Sequence, residues 1–292
     1  MMFMGVSRGP RDPEAVMLRR CEQAALKALR DVLDSQKTLG ERGKKIINTN
    51  QFGDRQILAD VQCEAAVMRA FQQHDLPVRV VAEEHGLRNL HQAPRLLLVL
   101  DGLDGSASFS GRAPAGSVGT LFTLYSALEP SYREYICAGM ADFRRERLYL
   151  AVRGEGLQVY DGINRSRVLL QPARFPFSED PVSGSIAASG AVYGQRLKDL
   201  QPLDYYSWVE ALRRLFDGEC QGVIESTRKG NLEAAALYAL VCEAGGAVIT
   251  LDGSDLGRRN FLVFGQQSAE GIIAARSAEA AEALRLRLLG GS

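Results

Sequence analysis

Two aspartates three residues apart, Asp101 and Asp104, close the stretch LLLVLDGLDGSASFS, where five apolar residues run straight into acids, glycine and small hydroxyl residues. Other acids stand at the ends of predicted elements: Asp54 and Asp60 in GDRQILAD, Glu83 and Glu84 in VRVVAEE, and Glu233 in NLEAAALYALVCEAGG. Hard divalent cations such as magnesium take oxygen ligands in near-octahedral geometry, usually a few carboxylates completed by substrate phosphate and water. Aspartates at i and i+3 on a tight turn can point the same way, and the Leu103 carbonyl between them is a further oxygen. Gly105 and the small residues after it let backbone amides approach an anion where the next helix begins. The alternative reading of the same residues is a capped turn, with Asp104 as N-cap.

Two other acid motifs do not fit. Counted from Asp101, the first, third and fifth positions of a calcium-binding EF-hand loop would be aspartate, leucine and glycine, which lacks the required oxygens. A D-x-D phosphatase nucleophile is also missing, because Gly102 sits two residues before Asp104.

The elements that must position these acids can be read from periodicity. Residues 12–36 carry apolar side chains at three- and four-residue spacing and predict a long amphipathic helix, as do residues 60–73 with Asp60 at their start. VRVVAEE (78–84) and LLLVLD (96–101) predict buried strands whose C-terminal ends carry the acids. Further apolar runs through SVGTLFTLYSAL, EYICAGMADF, RLYLAV and GLQVY predict a mostly antiparallel sheet. From about residue 180 strands and helices alternate: GSIAAS, YYSWVEALRRLF, GVIES, the helix containing Glu233, AVITL, GIIAA and a last helix over 277–289. The expected organisation is an N-terminal α+β half over 1–180 and an α/β half over 181–292, packed as one unit.

Composition narrows the function classes. The 292 residues hold 35 basic and 35 acidic side chains, a net charge near zero that argues against a nucleic-acid or anionic-membrane binder driven by bulk charge. Five scattered cysteines without a C-x-x-C pair read as small buried hydrophobes, in a reducing compartment. There is no apolar stretch of signal-peptide length near the N-terminus and no run long enough for a transmembrane helix, so a cytoplasmic protein is expected. His74, His85 and His91 match no ligand spacing and read as surface residues.

As a set, the acids resemble those of the magnesium-dependent inositol monophosphatase and fructose-1,6-bisphosphatase superfamily. Its central motif runs aspartate, proline, isoleucine or leucine, aspartate, glycine, threonine or serine; here it is Asp101-Gly102-Leu103-Asp104-Gly105-Ser106, with glycine in place of proline. A Glu-Glu pair lies upstream, and Asp60, 23 residues before Glu83, stands where the family carries a water-orienting aspartate. Glu233 opens a helix that runs into Glu243-Ala244-Gly245-Gly246, and RERLYLAVRGEGLQVYDG resembles a strand pair around arginine-glycine-x-glycine, a structural turn. The resemblance covers about residues 15–275. Glu233, and Asp54 six residues before Asp60, resemble the bisphosphatase branch, whereas the chain length and the arginine-glycine region resemble the inositol branch.

The resemblance implies a layered αβαβα sandwich and a phosphomonoesterase acting on a small polyol or sugar phosphate. It implies two or three magnesium ions on Glu83, Asp101, Asp104, Glu233 and the Leu103 carbonyl. Asp60 and Ser106 would orient or deprotonate the attacking water, with Asp54 and Glu84 assisting, and amides at Gly105, Ser106 and Ala107 would cradle the phosphate. Lys229 is placed either on substrate phosphate or in solvent. A homodimer is expected, with neither nucleic acid nor membrane as partner. Two alternatives stay open: a nucleotidase acting on 3′(2′),5′-bisphosphates, and a catalytically silent regulatory relative.

Overall fold

The computed structural model describes residues 13–50, 53, 55–164, 166–168, 186–188, 202–203, 205–226, 232–264 and 270–290. Asp54 and Lys229 lie outside the described residues. In chain order the first half runs α1 (Pro13–Leu39), β1 (Ile46–Thr49), β2 (Arg55–Ile57), α2 (Leu58–Gln73), β3 (Val78–Ala82), β4 (Gly86–Asn89), β5 (Leu96–Asp104) and a single turn, α3 (Ser106–Phe109). It continues through β6 (Gly119–Tyr125), β7 (Tyr135–Asp142), β8 (Arg147–Val152), β9 (Gly156–Asp161) and β10 (Arg167–Val168). The second half holds β11 (Ile186–Ala188), β12 (Pro202–Leu203), α4 (Trp208–Phe216), β13 (Gly222–Ser226), α5 (Leu232–Glu243), β14 (Ala247–Thr250), β15 (Gly271–Ala275) and α6 (Ala278–Leu288).

Eight strands form the first sheet in the order β10-β9-β8-β7-β6-β5-β3-β4, antiparallel except for the parallel pair β3–β5. Five form the second in the order β12-β11-β13-β15-β14. Alternation along each strand feeds different layers. On β5, Leu98 and Leu100 join α1 and α2 in one buried cluster, while Leu97 and Val99 join α4, α5 and the inner face of the second sheet in another. On the second sheet Ile224 and Ile273 turn outward to α6, and Val223 and Ile272 turn inward. The result is the expected αβαβα layering: α1 and α2, the large sheet, α4 and α5, the small sheet, then α6.

α5 explains why its sequence looks unlike an amphipathic helix. Leu232 and every residue from Ala234 to Val241 are buried, as a helix held between two sheets requires. Its C-terminal Glu243 is a clasp on the first sheet. The carboxylate accepts hydrogen bonds from the Gly154 amide (2.9 Å), the Gly156 amide (2.8 Å) and the Tyr135 hydroxyl (2.6 Å). Two motifs far apart in sequence, Glu-Ala-Gly-Gly and arginine-glycine-x-glycine, are therefore the two halves of one structural contact. The hairpin β1–β2 and the strand β4 are additions that periodicity did not predict. Among the described residues no helix is long and apolar enough to cross a membrane.

Hydrogen bonds to an ionised carboxylate are the stronger ones, so Glu243→Gln is expected to keep the fold and to lose about 2 kcal/mol of stability. The midpoint of urea unfolding checks this.

Candidate active site

The reason a buried strand ends in DGLDGS is a bulge. Asp101 pairs with Leu121 and Asp104 with Gly119, so two residues, Gly102 and Leu103, stand opposite Thr120 alone. In a regular strand residues i and i+3 face opposite sides. The extra residue resets the phase. Leu103 joins Leu98 and Leu100 on the α2 side, and Asp104 comes to the inner side with Asp101. Thr120 holds the bulge by donating from Oγ1 to the Gly102 carbonyl at 2.7 Å. The strand does not stop at Asp101, as the sequence predicts, but runs through both acids.

Glycine at 102 has a steric reason. A Cβ there would lie 2.5 Å from the Asp60 carbonyl oxygen and 2.6 Å from Glu64 Cγ. Glycine at this position thus lets α2 approach β5 closely. Asp60 is buried in the first turn of α2, where Ile57, not Asp60, occupies the N-cap position. Glu64, one turn on and fully buried, reaches the turn between β3 and β4. It accepts the amides of Glu84 (2.9 Å) and His85 (3.0 Å), and His85 Nδ1 lies 2.5 Å from its Oε2. His85 is therefore a half-buried partner of Glu64, not the surface residue its spacing suggested, and the pair fixes the backbone that carries Glu83 and Glu84.

Glu83 and Glu84 sit in that three-residue hairpin turn, closed by the pair Ala82–Gly86. Asn50 donates to Glu83 Oε1 (3.3 Å) and Glu84 Oε1 (3.1 Å), and Gln56 donates to Glu84 Oε2 (2.7 Å). Asp104 turns to α4, where the Val209 amide donates to its Oδ2 at 2.7 Å. A carboxylate at a helix N-terminus is favoured by the dipole. Gly105, in the left-handed region at φ +88°, occupies the N-cap of α3. A Cβ there would crowd Ser207 and Val118 at 2.8 Å each. The first amides of α3 have no acceptor within the helix, and Ser106 and Ala107 line a cleft of about 190 Å³ with Asn50, Arg55, Asp60, Glu83, Glu84 and Arg112.

The acids influence one another strongly. Burial first, then Glu83, Asp104, Glu233 and Asp60, push the Asp101 carboxyl well above the usual carboxylate range. Burial also raises Asp104 to about 7, against the opposing amides of Val209 and Trp208 and with Glu83 and Glu225 adding to the rise. The structure thus brings Asp60, Glu83, Asp101, Asp104 and Glu233 within electrostatic reach. An all-oxygen, negatively charged donor set fits a hard cation. Among the described residues no three of these side chains already converge as a ligand cluster, which agrees with the amides that hold Asp101 and Asp104. Sequence reasoning missed Glu225, which ends β13 as Glu83 follows β3, and Glu64, Asn50, Gln56, Arg55 and Arg112. Only Glu225 had a signal, an acid closing an apolar strand.

The αβαβα sandwich is a fold shared with solved inositol monophosphatases and fructose-1,6-bisphosphatases. Over 94–96% of the chain it superimposes on a protein of Pyrococcus horikoshii with similarities to inositol-1 monophosphatase (21% identity, TM-score 0.69, 99% of that chain) and on the inositol monophosphatase of Anabaena (17%, 0.66, 97%). Leishmania major fructose-1,6-bisphosphatase matches similarly (17% identity, TM-score 0.68, 95% of each chain). A class 1 fructose-1,6-bisphosphatase of Cereibacter sphaeroides is 27% identical over 207 residues, 68% of this chain and 56% of the relative. The chain thus spans about half the length of that curated relative. No family model matches.

Two outcomes follow from the geometry. Gly102→Ala, and equally Gly102→Pro, is expected to lower stability by about 1–3 kcal/mol through overpacking against α2, read by thermal unfolding. For pH, folded-state values raised above the unfolded value near 3.8 mean that the folded protein holds more protons than the unfolded chain. In chelator the melting temperature is therefore expected to fall as pH rises from about 4 through about 7. Added magnesium is expected to remove that slope.

Proposed function

We propose that the protein is a magnesium-dependent phosphomonoesterase acting on a small polyol or sugar phosphate. The observation that carries the reading is the bulge at Gly102–Leu103, which puts two buried aspartates on one side of β5, within reach of three more acids and beside a cleft. Glu83, Asp101, Asp104, Glu233 and the Leu103 carbonyl would hold two or three magnesium ions. When bound, these supply the positive charge that lowers the pKa of water and offsets charge on phosphate and leaving group.

The chain's own groups do the rest. Asp60 and Ser106, both on the cleft wall, orient the attacking water and take its proton, with Glu84 assisting. Asp54 keeps the assisting role that the resemblance implies, and Lys229 either contacts the substrate phosphate or stays in solvent. The amides of Gly105, Ser106 and Ala107 cradle the phosphate. Asn50, Gln56 and the Glu64–His85 pair hold the Glu83–Glu84 turn in place, so the acids are arranged before substrate arrives. The working form in this reading is a cytoplasmic homodimer.

The test is phosphate release, with and without magnesium, from inositol 1-phosphate, fructose 1,6-bisphosphate, other sugar phosphates and adenosine 3′,5′-bisphosphate. Magnesium-dependent turnover is expected from a sugar or polyol phosphate, and Asp101→Asn is expected to abolish it while circular dichroism stays unchanged. Turnover of the adenosine compound alone would make the protein a nucleotidase. No turnover, with no rise in melting temperature on adding magnesium and phosphate, would make it a silent relative.

A further inference from the structure

The first turn of α4 reaches Asp104 from outside its own strand. The Val209 amide that donates to Asp104 Oδ2 at 2.7 Å is the second of that helix. The first amides of a helix have no acceptor within it, so where they point follows from how the helix start is fixed. Here one side chain does the fixing. Ser207 is buried at the N-cap, and its Oγ accepts the Glu210 amide at 2.9 Å. The same Oγ donates to the Ser117 carbonyl at 2.6 Å.

Ser117 is itself held from two sides. Its amide donates to Glu210 Oε2 at 2.7 Å, and its hydroxyl donates to the buried Asp142 at 2.9 Å. Two residues on, Gly119 opens β6 between Asp104 of β5 and Asp142 of β7. The backbone that Ser207 grips is therefore the lead into the strand partner of Asp104. Ser207 also stands against the residue after Asp104, because a Cβ on Gly105 would lie 2.8 Å from Ser207 Cβ. Capping alone is the simpler reading of this serine, and glycine fills an N-cap nearly as well. The donation to Ser117 is a contact that a cap does not need. Without it a buried carbonyl loses its partner, which favours a shift of the helix start.

We propose that Ser207 is a positioning residue for Asp104: it pins the start of α4 to the Ser117 backbone, so that the Val209 amide holds the carboxylate in the orientation that takes magnesium. The proposal rests on the phosphatase reading and adds to it a side chain that touches neither metal nor substrate.

The experiment compares the wild type with Ser207→Ala, Ser207→Gly and Ser277→Ala. Ser277 caps α6 on the outer face of the second sheet, where its Oγ accepts the Ala280 amide at 3.1 Å. Two magnesium concentrations are measured: the one giving half of the rise in melting temperature and the one giving half-maximal phosphate release. In both Ser207 variants each is expected to rise at least about fivefold, the value of one hydrogen bond, while kcat at saturating magnesium stays within about twofold. Ser277→Ala is expected to melt lower than the wild type and to keep both magnesium values. If Ser207→Gly keeps them too, Ser207 only caps its helix and the proposal is overturned. It is overturned equally if kcat falls at saturating magnesium while the magnesium values stay unchanged. If the wild type shows no response to magnesium, the phosphatase reading has failed, and hydrogen exchange of the Val209 amide in chelator then decides the positioning. Exchange at least about tenfold faster in both Ser207 variants but not in Ser277→Ala supports it, and unchanged exchange overturns it.

Discussion

The structure is arranged around the cost of crowding carboxylates out of water. Asp101 is 2% exposed and Asp104 7% exposed, each among further acids. Burying one ionised carboxylate without a partner is expensive, and like charges nearby add to the cost. Such a cluster persists only where the surrounding structure holds it in place. Here the holding is covalent and close at hand: both aspartates belong to one strand, brought to the same side by a single inserted residue in β5. The rest of the molecule supports that strand from two directions, with α1 and α2 on one face and α4 and α5 on the other.

Support from the α2 side depends on the missing side chain at 102. Because α2 closes on the bulge, Asp60 and Glu64 reach the site from one helix, four residues apart and so on one face. Glu64 carries the approach on to the hairpin turn bearing Glu83 and Glu84. The acids of β5 and of the β3–β4 turn are thus linked through a helix, with backbone amides as the connection. Amide contacts are directional and short, so a shift of α2 passes to the hairpin turn.

Much of this was legible in the sequence because the signals are local. Apolar runs ending in acids gave β3 and β5, helical periodicity gave α1, and an unbroken apolar stretch in LEAAALYALV belongs to a helix between sheets. The bulge was not legible, since the spacing of Asp101 and Asp104 reads equally as a turn after a strand. Only pairing with Leu121 and Gly119 distinguishes the two. β4 escaped because GLRN is exposed and has no apolar alternation, and its existence follows from the turn that precedes it. His85 misled because a lone histidine carries no partner in its neighbourhood of sequence; Glu64 is 21 residues away.

The acids themselves show why spacing cannot assign roles. Glu210, like Asp104, is buried near the junction of the two halves. Burial pushes its carboxyl up, but hydrogen bonds from Arg213, the Ser117 amide and Arg214 outweigh burial and bring it down to about 2. Asp104 receives two amides and, among the described residues, no arginine, and it rises to about 7. The two differ in what surrounds them, not in residue type or in position at an element's end. A carboxylate whose charge is already met by arginine is a staple, as Glu210 is for α4. Where burial and neighbouring carboxylates dominate, as at Asp101 and Asp104, the carboxyl is pushed up instead. Among the described residues, the two aspartates of the β5 bulge therefore differ from Glu210 in the charge around them rather than in how deeply they are buried.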